Sequence, residues 1–200
     1  MLADRNNKNW KTPFFSIWIG QAFSLTGSKV VQFALIWWLT AQTESATVLA
    51  TASLVGLIPE IILGPFAGAY VDRWDRRKVM IAADCAIALV SLILAGLFAA
   101  GIVAVWHIYV VMFLRAVGGS FHWPAMQAST TMMVPEKHLS RVAGLNQSMH
   151  GFLNILGAPL GALLIEWMPT QGILLIDVGT AMLAVLPLLF THIPRPERVE

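Results

Sequence analysis

Six long apolar runs divide this chain, at roughly 14–39, 48–71, 79–98, 103–123, 142–166 and 172–190. Coiled into a helix, each can cross a hydrocarbon core about 30 Å thick. A soluble fold interrupts such runs with polar positions at a period of 2 or 3.6. The second, third and sixth runs hardly do so. The pattern predicts an all-α integral membrane protein of six transmembrane helices. It divides the chain into a tail at 1–12, a six-helix transmembrane domain at 13–192 and the start of a proline-bearing polar linker at 193–200. The longest internal connection is expected at about 124–141, which holds Pro124, Pro135, Glu136 and Lys137. It splits the helices into two groups of three, about 13–99 and 102–192.

Composition agrees: 57% of residues are hydrophobic and 12% charged, against about 25% charged in a typical globular protein. Charge adds an orientation. Of the 13 Lys and Arg residues, all but Lys29 and Arg115 fall in the segments on one side of the runs. They are Arg5, Lys8 and Lys11; Arg73, Arg76, Arg77 and Lys78; Lys137 and Arg141; and Arg195 and Arg198. The opposite loops, near Thr43, Gly101 and Thr170, carry none. By the positive-inside rule the basic side is cytosolic, so a multi-pass plasma-membrane protein with both termini in the cytosol is expected. Basic loops beside anionic lipid account for the net charge of +2, and no nucleic-acid partner is implied. The first apolar run is too long for a cleavable leader, and no small-x-small site follows it, so it is expected to stay as an anchor. One cysteine, Cys85, permits no disulfide within the chain and no metal cluster, and no cofactor is expected.

A polar side chain within a span is costly and tends to mark function. Lys29 lies near the middle of the first span, with Gln21, Ser24, Ser28 and Gln32 at helical spacing around it, which gives that helix one polar face. Glu60 and Arg115 lie near the middle of the second and fourth spans. Asp84 and Asp177 lie nearer the ends of the third and sixth, where headgroup contact or helix capping is the plain alternative. Lys29, Glu60 and Arg115 either satisfy one another as structural ion pairs or line a water-filled cavity. In a cavity, an unpaired Glu60 suits a proton carrier, and a paired one suits a lock. The two triplets run in opposite directions across the membrane. Lys29 and Arg115 hold matching positions in them, as do Asp84 and Asp177. Inverted three-helix repeats of this kind occur in secondary transporters.

The most specific local signal is Gly68-Ala69-Tyr70-Val71-Asp72-Arg73-Trp74-Asp75-Arg76-Arg77-Lys78. Asp72 ends a helix whose dipole is already negative there, so it needs a partner such as Arg73 or Arg76. Gly64 and Gly68 give the same helix a flat face suited to close packing. Together these features describe a helix latched at one end. The pattern resembles the signature loop of the major facilitator superfamily. Leu114-Arg115-Ala116-Val117-Gly118-Gly119 is similar to a second motif of that family, whose arginine is associated with proton coupling in drug antiporters. Gly144, Gly157, Pro159 and Gly161 resemble a loose form of its antiporter motif, a site of helix packing and kinking. Within the family, Val31–Trp38, Leu63–Gly68, Phe121–Ala125 and Ile176–Val178 resemble the macrolide-efflux type of drug:proton antiporter. Three departures stand out: Asp75 where the loop usually has glycine, Leu153 where a further glycine is expected, and Pro159 one place late.

The resemblance implies the amino-terminal half of a twelve-helix transporter that exports amphipathic small molecules in exchange for protons. It implies gating by Gly68, Asp72, Arg73, Arg76 and Arg77. It also implies proton coupling by Glu60, Arg115, Asp84 and Asp177, and a substrate cavity faced by Gln21, Lys29 and Gln32. One half has no complete central cavity. The chain is then a truncated half without transport of its own, the partner of a separate second half, or a homodimer imitating the full transporter. The linker-like ending favours the first. A membrane enzyme is the rival from another class: Gly119-Ser120 and His150 can be cast as an intramembrane protease, but no flanking pattern supports it. Paired mid-span histidines for haem or metal are missing, since His107 and His122 are expected at opposite ends of the fourth span, with His138 and His192 outside the spans.

Overall fold

The computed structural model describes residues 10–191 and 193. The tail residues Arg5 and Lys8, His192, and the linker residues Arg195 and Arg198 lie outside the described residues. Six α-helices follow in order: α1 (Lys11–Thr43), α2 (Ala46–Arg73), α3 (Arg76–Ala99), α4 (Val105–Met133), α5 (Glu136–Trp167) and α6 (Thr170–Phe190). Five are long and apolar enough to cross a membrane. The exception is α4, whose interior carries Arg115, Ser120, His122 and Gln127.

The helices are joined by short turns, and local chemistry explains where several end. Ser45 caps α2 by accepting from the Val48 N–H, and Asp75 caps α3 by accepting from the Lys78 N–H at 3.4 Å. Asp75 thus stands where the family pattern has glycine because it starts the next helix. At the far end of α3, Gly101 has φ 69°. Its N–H reaches Phe98 O and the Ile102 N–H reaches Leu97 O, the double bond pattern that closes a helix on a left-handed residue.

The expected connection at 124–141 is not a loop. Helix α4 continues through Pro124 to Met133, and only Val134 and Pro135 separate it from α5. Proline is tolerated in a helix packed among helices. In the turns that follow, Ser129 and Thr130 donate to the carbonyls of Ala125 and Met126, four residues back. Helix α5 likewise runs unbroken through Pro159.

The main packing partners are α1 with α6, α3 with α4, α2 with α4, α1 with α5, and α3 with α6. Exchanging α1 with α4, α2 with α5 and α3 with α6 leaves this pattern unchanged. In lipid, burial of apolar surface between helices gains little, so close approach decides where they meet. Glycines provide it. A Cβ on Gly161 would lie 2.6 Å from the Phe33 ring, and one on Gly157 would lie 2.9 Å from Lys29 Cβ. Gly118 presses on Ile87, and Gly20 and Gly27 seat α1 on α6 at Ala184 and Thr180. By contrast, Gly64 and Gly68 of α2 and Gly144 of α5 meet nothing within 4 Å. The close packing expected of the Gly64–Gly68 face, and of Gly144, is therefore not made among the described residues. Helices α2 and α5 are the least covered of the five apolar helices.

Apolar side chains form one cluster near the end that bears the termini, around Ile17, Met80, Met126 and Leu188. A second lies at the opposite end, around Leu35, Leu94, Ile108 and Ile173. Between them lies a layer of buried polar groups.

Candidate functional site

The polar layer borders a cavity of about 170 Å³ walled by α1 to α5. Its lining includes Lys29, Gln32, Glu60, Asp84, Arg115 and His122. Five of these six are residues that the sequence singled out, and the fold brings them together from four helices. Gln21 was expected to face the cavity; it is fully buried instead, and acts on the lining through hydrogen bonds.

Asp84 and Asp177 do not reach headgroups. They are 3% and 1% exposed, and each is held by a donor from the polar face of α1. Asp84 accepts from Gln21 Nε2 at 2.9 Å and from Ser24 Oγ at 3.2 Å. His122 Nε2 stands 2.7 Å from Gln21 Oε1 and 3.4 Å from Asp84 Oδ1. Asp177 accepts from Ser28 Oγ at 3.2 Å, from Ser91 Oγ at 2.9 Å and from Arg115 Nη1 at 2.5 Å. Arg115 also contacts Ser91 Oγ. The two acids thus hold matching places, but their partners differ. Arg115 answers Asp177, whereas its counterpart Lys29 leaves Asp84 to Gln21, Ser24 and His122.

Arg115 therefore belongs to an ion pair with Asp177 and not with Glu60. Glu60 is exposed on the open side of the cavity. No ion pair joins it to Lys29 or Arg115 among the described residues, so the mutual pairing left open by the sequence does not occur. Lys29 is half-buried and Gln32 exposed, on that same side.

In the loop between α2 and α3, Asp72 has one of the two partners expected of it. Asp72 is 71% exposed and meets Arg76 Nη2, at the start of α3, at 3.4 Å. Arg76 itself is buried, and its Nε and Nη1 find no hydrogen-bond partner among the described residues. Arg77 Nη2 donates to Leu189 O at 2.6 Å, tying α3 to the last turn of α6. Arg73 is exposed.

Several contributors escaped the sequence reading. His122 was placed at a helix end because α4 was cut short near Trp123; it sits inside α4, two turns from Arg115. Ser91 stands in the same relation to Asp84 on α3, and that seven-residue spacing was legible. His150 and Leu153 bring α5 to the cavity. Asn146 is 1% exposed and accepts from Trp18 Nε1 at 2.8 Å, so Trp18 packs within the bundle. Ser120 donates to Ala116 O, and the protease alternative finds no Ser120–His150 hydrogen bond among the described residues.

A fold of apolar helices around a polar central layer is that of a multi-pass membrane protein. The chain belongs to the major facilitator superfamily, whose family model, described as Major Facilitator Superfamily, matches residues 17–200. It is 40% identical over 187 residues to macrolide efflux protein A of Streptococcus pyogenes, covering 94% of this chain and 46% of that protein. It is 38% identical over 151 residues to macrolide efflux protein A of Enterococcus faecalis, covering 76% of this chain and 46% of the relative. A more distant relative, at 23% identity over 139 residues, is a Na(+), Li(+), K(+)/H(+) antiporter of Planococcus maritimus, with 70% of this chain and 33% of that protein covered. The chain spans about half the length of the curated macrolide-efflux relatives it matches.

Proposed function

We propose that this chain supplies one wall of a plasma-membrane exporter of amphipathic small molecules, driven by inward proton flow, with both termini in the cytosol. The observation that carries the reading is the cavity. It combines apolar walls with Lys29, Glu60, Arg115 and Asp84 at mid-bundle, the mixture an amphipathic substrate and a coupling proton both need. In this reading a second six-helix body covers the open side. The two bodies rock about the cavity, and Asp72, Arg73, Arg76, Arg77 and Gly68 gate the cytosolic side. The uncovered faces of α2 and α5 favour a second reading, in which these six helices do not transport unless paired with a second six-helix body.

A pH-gradient assay in proteoliposomes tests both, with a fluorescent lipophilic cation or a macrolide as substrate. Movement by the chain alone, abolished by a protonophore and accompanied by a crosslinked dimer, supports the homodimer. Movement only after co-reconstitution with a second six-helix half supports the paired reading. A folded, helical chain that moves neither substrate in either setting overturns the export proposal.

A further inference from the structure

We propose that His122 and Asp84 form a proton-binding site in the cavity wall, separate from the Arg115–Asp177 ion pair. Its use in coupling rests on the export reading, but its existence is argued from hydrogen bonds alone.

The chain of donors starts at the carboxylate. Asp84 Oδ2 takes the Gln21 amide nitrogen at 2.9 Å, and Asp84 Oδ1 takes the Ser24 hydroxyl. With Asp84 ionised, rotating the Gln21 amide would set its oxygen against a carboxylate oxygen, acceptor against acceptor, which fixes its orientation. Gln21 Oε1 then faces His122 Nε2 at 2.7 Å. That oxygen can only accept, so Nε2 carries the hydrogen. The lone pair of the neutral ring therefore lies on Nδ1, on a side chain that lines the cavity. A proton from cavity water binds at Nδ1. Nε2–H keeps its bond to Gln21, and Asp84 Oδ1, 3.4 Å away, balances the new charge. On release the proton returns to water, and no other bond is made or broken.

The other charged groups facing this site are Lys29 on α1, Glu60 on α2, Arg115 on α4 and His150 on α5. Arg115 keeps its proton at any accessible pH, and its charge is matched by Asp177. It fixes a field at the site and carries no proton itself. Imidazole is the side chain whose charge changes between about pH 5 and 8.

The test is a pH titration of ring-labelled histidine in the purified full chain by NMR, with His122→Gln to assign the signal. The His122 signals are expected to move with pH, and Asp84→Asn is expected to change the range over which they move. The helicity of each variant is checked by circular dichroism. His122 signals fixed from about pH 5 to 8, or a pH response unaltered in a folded Asp84→Asn variant, would overturn the site. In the transport assay, His122→Gln is expected to lower pH-driven accumulation at least tenfold while substrate exchange without a gradient continues. A His122→Gln variant that accumulates substrate like the parent would overturn the coupling role. Absence of transport in every variant, with the NMR coupling intact, would count against the export reading and leave the site standing.

Discussion

Arg115 Nη1 of α4 stands 2.5 Å from Asp177 Oδ2 of α6, and the two side chains are 9% and 1% exposed. Ser28 and Ser91 complete the carboxylate's shell, so this one pair joins α1, α3, α4 and α6. A charge left without its partner in such a setting is costly. Arg115→Gln and Asp177→Asn are each expected to destabilise the bundle by about 3 kcal/mol. The double variant is expected to recover more than half of the summed loss. Thermal unfolding in detergent, arranged as a double-mutant cycle, measures it. Additive losses would show that the pair is not a unit.

Glycines that meet another helix should behave differently from those that meet nothing. Gly161→Val must push a side chain into Phe33 and is expected to cost about 1–3 kcal/mol. Gly144→Ala, with nothing within 4 Å, is expected to stay within about 0.5 kcal/mol. The same unfolding assay reads both, and equal effects would contradict the packing described for α1 and α5.

Asp72 separates stability from gating. Its side chain is 71% exposed, and among the described residues its ion pair is with Arg76 at the start of α3. Asp72→Asn is expected to leave expression and stability within about 0.5 kcal/mol of the parent and to abolish transport by the assembled protein. Parallel expression and uptake measurements check this; retained uptake would remove Asp72 from the gate.

Glu60 has no ion-pair partner among the described residues and faces the open side of the cavity. Glu60→Gln is expected to lose pH-driven accumulation while keeping gradient-free exchange. Uptake that still follows the pH gradient would exclude Glu60 from coupling.

Much of this was readable from the chain. Apolar runs and loop arginines place six helices, and polar spacing on α1 marks the face that meets both buried acids. The failures have physical causes. Pro124 reads as a breaker in water, but within a packed bundle α4 passes through it, and the truncated helix hid His122. Arg115 and Glu60 looked like natural partners because both are mid-span charges. Which pairs form depends on helix adjacency: α4 lies against α3, which in turn lies against α6, and this brings Arg115 to Asp177. The seven-residue spacings Asp84–Ser91 and Arg115–His122 were present in the sequence and go furthest toward predicting the polar layer.

The central claim is that the space bordered by Lys29, Glu60 and Arg115 is an aqueous path. Single cysteines in a Cys85→Ser background test it most directly, using a membrane-impermeant thiol reagent on the protein in vesicles. Gln32→Cys and Ala116→Cys are expected to react, and to react more slowly when substrate is present. Leu89→Cys, on the α3 surface turned away from the cavity, is expected to stay inert. Cavity positions that react no faster than Leu89→Cys would contradict the account.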